Sequence, residues 1–435
     1  MNDRMKKLAT LLVLATLALA GPAFAQLRLT ITSGVTDPIP IAIVPFSSNA
    51  PADGGSDVAQ IIERDLQGSG RFKPMARADM ITKPTTSGEV ITDAASWKQM
   101  RNDYVVVGRV AMQSDGQIRI EAELVNVLTG QRVAGPNATG PIRTVAHRIS
   151  DALYQQITGV RGAFSTRIAY VSVDGKPPTQ RYELYVADAD GANRKKVMSS
   201  PLPIMSPSWS PDGEWLAYVS FERRVSTVFV QHLKSAKKIP VSARAGINGA
   251  PSYSPDGKKL LLTLSGSNGN LDIYMLDLAT HQLTRLTDDQ SIDTEGVFAP
   301  DGSTIYFTSD RSGNPQIYKL TLGSTERPRR VTFQGAYNAR PRVSPDGKQL
   351  ALLTQADGSY RIAVQDLASG TITVLSKGRQ EESPSFAPNG AMLIFAGRQN
   401  GQGVLQTVSV DGQIAARLDA DAGEVREPVW GPFLP

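Results

Sequence analysis

The 435-residue sequence predicts an all-β, six-bladed β-propeller in its C-terminal part, preceded by a smaller α/β domain. The first observation behind this is a phrase repeated at near-constant spacing. It runs Pro207–Gly213 (PSWSPDG), Pro251–Gly257 (PSYSPDG), Gly296–Gly302 (GVFAPDG), Pro341–Gly347 (PRVSPDG), Pro384–Gly390 (PSFAPNG) and, cut short, Pro428–Pro432 (PVWGP). The turn residues Asp212, Asp256, Asp301, Asp346 and Asn389 are 44, 45, 45 and 43 positions apart, a period that suits one four-stranded blade per repeat.

The second observation is what surrounds each phrase. Pro-Asp-Gly is tight-turn chemistry: proline presets φ, Asp bonds nearby backbone, and Gly accepts positive φ. An apolar run follows each turn, as in Trp215–Val219, Leu260–Leu264, Ile305–Thr308, Leu350–Leu353 and Leu393–Ala396. A third and a fourth strand follow, as in Leu271–Leu278 and Leu283–Thr287. About 44 residues holding four strands and four turns leave no room for crossover helices, so the sheets must be antiparallel meanders.

The third observation is a mismatch at the ends. Ile168–Ser172 matches Leu216–Ser220, yet no phrase precedes it, and the last phrase, at Trp430, has no second strand after it. The C-terminal phrase is therefore expected to supply the inner strand of the blade that begins near Ile168. That closes a ring of six; an open β-solenoid is the alternative.

In chain order, residues 1–25 read as a signal peptide. Arg4, Lys6 and Lys7 precede the apolar Leu8–Ala20, and Ala23-Phe-Ala25 is a cleavage signature, placing the mature start at Gln26 after Ala25. The apolar run is too short to span a membrane, and no cysteine stands near the cut for lipid attachment. Export to the periplasm is expected. Removing these residues leaves 43 Lys/Arg against 40 Asp/Glu, a net charge of +3, scattered along the chain. Nucleic acid is not an expected partner. With no cysteine at all, stability must come from burial and the closed ring.

Residues 26–160 mix helix and strand signals. Leu27, Leu29 and Ile31 alternate with Arg28, Thr30 and Thr32 as an edge strand would, and the stretch 26–38 is expected to be loosely held because Ser33-Gly34, Pro38 and Pro40 follow it. Pro40–Pro45 reads as a buried strand. Asp57 is a candidate cap for a helix through Val58, Ile61, Ile62 and Leu66. Tyr104–Gly108 is a strand, Gln117–Val127 and Gln131–Thr139 form a hairpin, and a helix runs from Pro141 to Ile157, ending at Gly159. Gly159–Gly162 is the linker, and the propeller spans residues 165–435.

Catalytic candidates are few. His147, His232 and His281 have different settings, and no G-x-S-x-G, H-E-x-x-H, P-loop or dinucleotide motif occurs. Propeller-linked peptidases share such blades, but the sequence ends five residues after Trp430, so no hydrolase domain is expected to follow. Asp188–Gly191 resembles half a calcium loop, lacks the twelfth-position Glu, and reads as a hairpin tip. No cofactor or metal is assigned, and a cation in the channel stays open.

The residues just before each inner strand are more informative, because in a propeller they fall on one face around the channel mouth. They are Met205; Asn248 and Ala250; Asp293, Thr294 and Glu295; Asn338 and Arg340; Glu381 and Glu382; Arg426 and Glu427. Five acids against two bases give this ring a charge of −3, opposite in sign to the whole chain. Such a mouth fits a docking face for a partner presenting basic or amide groups.

These features together resemble the TolB family of periplasmic Tol–Pal proteins. The likeness spans the chain: the signal peptide, Ser33-Gly-Val and Ile43-Val-Pro-Phe, Tyr104–Gly108, Arg167–Val171, and Asn248-Gly-Ala-Pro ahead of Ser254-Pro-Asp-Gly. The resemblance implies a monomeric, non-enzymatic adaptor that binds the lipoprotein Pal, and other outer-membrane proteins, at the propeller mouth. It also implies that TolA engages the N-terminal segment Gln26, Leu27, Arg28, Leu29, Thr30, Ile31 and Thr32, in support of envelope integrity and constriction at division. The family's His-Asn pair is Ile247-Asn248 here, and the mature start lacks the usual leading acid. The competing expectation is a ligand-binding or lyase-type propeller that uses its channel.

Overall fold

The structure, a computed structural model, describes residues 28–48, 58–115, 117–266, 269–419 and 423–434. The expected signal peptide, its Ala25–Gln26 cut, Leu27 and the cap Asp57 lie outside these residues. Among the described residues, no helix is long and apolar enough to cross a membrane.

The first domain is built on one sheet with strand order Phe72–Pro74, Ile39–Ile43, Tyr104–Met112, Ile118–Asn126, Gln131–Ala134. Ile39–Ile43 pairs in parallel with both of its neighbours, and such a strand must be covered on both faces. The cover is provided. Ile41, Ile43, Val106 and Val110 pack against helices α1 (Val58–Gly68) and α4 (Ile142–Thr158). Ala42, Val44, Val105 and Val107 pack on the other side with Val90 of helix α2 (Ser87–Thr92) and Trp97 of helix α3 (Ala94–Gln99). The near-continuous apolar run at Val105–Val107 is thus a central strand buried on both faces. Helix α4 stops at Gly159, whose φ of +80° is a left-handed cap.

Six antiparallel blades follow. Blade 1 holds Arg167–Asp174, Arg181–Asp188 and Lys195–Ser200; blade 2 runs Ile204–Trp209 to Lys238–Ser242; blade 3 runs Asn248–Tyr253 to Leu283–Arg285. Blade 4 runs Asp293–Phe298 to Arg329–Arg330; blade 5 runs Asn338–Val343 to Ile372–Val374; blade 6 runs Glu382–Phe386 to Ala415–Asp419. The inner strand of blade 1 is Glu424–Trp430, which pairs antiparallel with Arg167–Asp174, so the chain's last strand closes its first blade. Alternation then builds the core. Leu216 and Tyr218 of blade 2 face blade 1, while Ala217 and Val219 face blade 3, and every pair of adjacent blades has its own apolar cluster. Because the clusters run round the ring, no blade has an uncovered face.

The repeated phrase is an inner strand plus its turn. Asp212 Oδ1 accepts the Glu214 N–H at 2.9 Å and Ser210 Oγ accepts the Trp215 N–H at 2.9 Å. The same bonds recur at Ser254–Asp256 and Ser344–Asp346. Gly213 has φ +68°, and a side chain there would meet Leu434 at 2.8 Å and Pro432 at 3.4 Å, so this turn tolerates only glycine.

Candidate docking mouth of the propeller

Each inner strand carries a bulge near its start, with register shifts between Met205 and Ser208, Gly249 and Ser252, Thr294 and Val297, Ala339 and Arg342, Glu382 and Ser385, and Arg426 and Val429. The bulged residues Ser206, Ala250, Glu295, Arg340, Ser383 and Glu427 all have positive φ, between +44° and +59°. A proline follows five of the six (Gly296 follows Glu295), and proline cannot donate to a ladder, so pairing breaks at these points. The break re-aims the left-handed residue out of the sheet.

Four blades then meet at one side chain. Arg340 of blade 5 places Nε 3.0 Å from Glu295 Oε1 of blade 4, and Nη1 3.8 Å from both Glu382 of blade 6 and Glu427 of blade 1. Its Nη1 also donates to Ser383 Oγ, and its backbone N–H donates to Glu295 Oε2 at 3.0 Å. Only a side chain in the central channel can reach all of these. Burial opposes the guanidinium's charge, but Glu427, Glu295 and Glu382 outweigh it and hold its pKa above the usual arginine value. Burial pushes Glu382 above the usual carboxylate range, and neighbouring Glu427 adds to this. Below the cluster, Arg342 donates to its neighbour's carbonyl, Pro341 O, at 2.8 Å. No carboxylate among the described residues lies within ion-pair distance of it, and burial pulls its pKa below the ordinary value.

The structure separates the sequence-predicted ring into two groups. Asn248, Asp293, Asn338 and Glu381 are buried and hold loops in place. Asn248 accepts from Ser242 Oγ at 2.6 Å and from the Arg244 N–H at 3.0 Å. Arg311 grips both oxygens of Asp293 at 3.0 and 2.8 Å. Asn338 donates to Gln316 at 2.9 Å, and Glu381 accepts from Ser376 and from the Gly378 N–H. Met205, Ala250, Thr294, Glu295, Arg340, Glu382 and Arg426 remain at the mouth at least partly exposed, with Glu427 more deeply set. Arg426 is engaged by Glu424 at 2.8 Å.

Sequence reasoning missed the apolar rim. Val225, Ile247, Ile292 and Phe333 are exposed on loops at this same end of the blades, and Tyr360 at the start of the strand Ser359–Asp366, with Phe333 74% exposed. Their signal was in the sequence, since Ile247 and Ile292 directly precede two inner strands and Phe333 stands in the loop before a third. A recess of about 510 Å³ opens among Tyr337, Arg340, Tyr360, Glu382, Arg398 and Arg426. The α/β domain sits at the other end of the blades, where Asn389 of a blade-6 turn donates to Arg161 O at 2.9 Å, so the mouth stays open.

The N-terminal segment is found on the propeller. Arg28–Ser33 pairs antiparallel with Ala415–Asp419 as a fifth strand of blade 6, with Thr30 opposite Arg417. Leu29 packs into the cluster between blades 6 and 1, while Thr30, Ile31 and Thr32 are exposed. The three histidines do not converge. His147 is buried in α4, His232 lies against Trp215 with ring centroids 4.8 Å apart, and His281 is in a turn with φ +58°. Asp188 and Asp190 flank a hairpin tip, where both bond Arg143.

Comparison with known proteins agrees with this architecture. Residues 27–133 match the model of the TolB amino-terminal domain and residues 154–434 that of the TolB beta propeller domain. The chain is 46% identical over 440 residues to the Tol-Pal system protein TolB of Xanthomonas campestris pv. campestris (strain B100), covering 98% of this chain and 99% of that protein. The same figures hold for the protein of that name in Xanthomonas oryzae pv. oryzae (strain MAFF 311018). A crystal structure of TolB from Acinetobacter baumannii superposes with a TM-score of 0.83 at 39% identity, covering 94% of this chain and all of that one. Two domain matches in the right order and near-complete coverage by its relatives lead to one conclusion: the chain belongs to the TolB family of Tol-Pal system proteins.

Proposed function

We propose that this chain is a non-enzymatic periplasmic adaptor of the Tol–Pal envelope complex. It binds Pal through the propeller mouth and TolA through its N-terminal segment, and so supports outer-membrane integrity and constriction at division. The observation that carries this reading is the mouth itself. An arginine–carboxylate cluster from four blades is ringed by exposed apolar side chains and faces away from the α/β domain. A polar centre inside an apolar rim can fix register and orientation while the rim excludes water. Family membership narrows the partner to a component of the system after which the relatives are named.

The test is binding of the soluble domain of Pal to immobilised chain at low and high salt. Replacing Glu295 and Glu382 together by Lys is expected to slow association by about tenfold at low salt, with a smaller gap at high salt. Unchanged kinetics at low salt would reject this mouth as the dock.

A further inference from the structure

A cleft of about 730 Å³ opens where the α/β domain meets the propeller, far from the mouth. Its walls come from both domains and from the N-terminal strand. They include Leu29 and Ile31 of that strand, Tyr154 of α4, Phe164 just after the linker, Met392 of blade 6 and Trp430 of blade 1. Tyr154 and Phe164 meet edge to face, with ring centroids 5.6 Å apart and planes at 77°. Helix geometry supplies the polar end, because Arg64 and Gly68 stand four residues apart on one face of α1 and both line the cleft. The Arg64 side chain has neither a hydrogen bond nor an ion pair with any described residue, so its guanidinium is uncommitted. The two acids that share the cleft are already engaged. Asp65 Oδ2 is 2.8 Å from His147 Nδ1, while Asp190 Oδ1 accepts the Ala192 N–H at 3.1 Å and its Oδ2 accepts from Arg143.

The geometry points to a binding site for an amphipathic carboxylate, with its alkyl chain in the cleft and its head group on Arg64. Three features select this ligand class. The volume falls in the range of small-molecule sites, about 300–1,000 Å³, and such sites favour domain interfaces. The walls are aliphatic and aromatic, so an alkyl chain lying against them leaves water without stranding a polar group. The free charge is a guanidinium, whose planar fork holds a carboxylate by two parallel hydrogen bonds. An alkylammonium of the same length finds no free carboxylate here, since His147 and Arg143 already occupy Asp65 and Asp190. An occupant touches α1, α4, blades 1 and 6 and the N-terminal strand together, so it stabilises their junction by mass action and holds Leu29 and Ile31 in place.

The experiment titrates full-length protein with dodecanoate, kept below its micelle concentration, by calorimetry, and uses dodecylammonium as the comparator of opposite charge. One site with Kd at or below about 100 µM is expected for dodecanoate, and binding at least about tenfold weaker for dodecylammonium. Arg64→Gln, at an exposed position of α1, should weaken dodecanoate by about tenfold and leave dodecylammonium unchanged. Ala391→Phe fills the cleft from the blade-6 side and should abolish binding. If that variant does not fold, amide exchange in the parent locates the site, because dodecanoate should slow exchange at Arg28–Ser33 along the cleft wall. Absence of dodecanoate binding overturns the proposal. So does equal affinity for dodecylammonium, which would mark adventitious uptake of alkyl chains, and so does binding unaffected by Arg64→Gln. Full affinity in a folded Ala391→Phe variant, or exchange at Arg28–Ser33 indifferent to dodecanoate, would place the chain elsewhere and overturn it as well.

Discussion

Trp430, in the last strand, donates its indole N–H to Thr166 Oγ1, 264 residues earlier, at 2.9 Å. Its backbone N–H donates to Ser385 Oγ of blade 6 at 3.0 Å, and the neighbouring Val429 carbonyl accepts from the Trp209 indole of blade 2 at 3.2 Å. One short strand thus touches the blades on both sides of the seam. Ending the chain after Asp419 removes it, leaves Arg167–Asp174 without its inner partner and opens the clusters between blades 1, 2 and 6. The expected result is a melting temperature lower by about 10 °C or more, read by calorimetry. Trp430→Phe is the milder probe: it loses the indole bond and should cost about 1 kcal/mol in urea denaturation. A truncated chain that melts like the full chain would mean that the seam holds nothing together.

The ring closure was legible because the repeat is a physical unit. A turn of Pro-Asp-Gly followed by an apolar strand can occupy only one place in a blade, so a missing copy at Ile168 and a spare copy at Trp430 had to complete each other. The mouth was only half legible. Sequence spacing located the six positions, but not the bulge that turns Glu295 and Arg340 inward while their neighbours Asp293 and Asn338 are buried. That division depends on partners far away in sequence, such as Arg311 for Asp293 and Gln316 for Asn338. The contacts of Asp65 with His147 and of Arg143 with Asp190 were not legible at all, since their members come from two helices and a hairpin tip that meet only when the chain packs. Nor did alternation in Leu27–Thr32 disclose that its partner strand would be Ala415–Asp419 of the propeller.

Arg340 is the shared counter-cation of Glu295, Glu382 and Glu427. Arg340→Gln leaves three acids facing one another across a narrow channel. Breaking a buried pair by removing one partner costs about 3–5 kcal/mol, and this site is partly open to solvent, so a loss of about 2 kcal/mol is expected. The urea midpoint at neutral pH measures it, and added salt should recover part of the loss by screening the carboxylates. An unshifted midpoint would show that the cluster serves orientation alone.

Asp151, on the propeller-facing side of α4, accepts the Phe164 N–H at 2.7 Å and is also bonded by Ser165. Burial nevertheless pushes its pKa from 3.8 up to about 6, and the nearby charge of Asp65 contributes in the same direction, against the lowering effect of the Ser165 and Phe164 bonds. A carboxyl whose folded pKa lies above its unfolded one binds more protons when folded. It therefore adds stability that is fully present below about pH 4 and is lost as pH rises through about 6. The gap corresponds to on the order of 3 kcal/mol. Asp151→Asn, which cannot ionise, should flatten this component, so the stability difference between variant and parent should change between pH 4 and 6 and stay level above about pH 7. A difference that is constant across the window would place the titration elsewhere.

The N-terminal strand supplies the last prediction. Arg28–Ser33 lies along the outer edge of blade 6, fixed by its ladder to Ala415–Asp419, by Ser33 Oγ donating to Gln413 O at 3.0 Å and by Leu29 in the cluster below. Among the described residues its other edge has no strand partner, and such an edge can exchange its present partner for another sheet. Leu29 sits close to Gly68 at the end of α1, where an added Cβ would come within 2.6 Å of Leu29 Cδ2. Gly68→Ala should therefore displace Leu29 and loosen the strand without touching the mouth. The expected outcome is faster amide exchange at Arg28–Ser33 and tighter TolA binding, because less of the binding free energy goes into releasing the segment. Deleting Gln26–Thr32 should abolish TolA binding while leaving the fold and Pal binding nearly unchanged. If the mouth and the strand are coupled, saturating Pal must shift exchange in this segment, since linkage is reciprocal. Full TolA affinity in the deletion would exclude the segment as the TolA site. Exchange indifferent to Pal would leave two independent docking surfaces on one rigid ring.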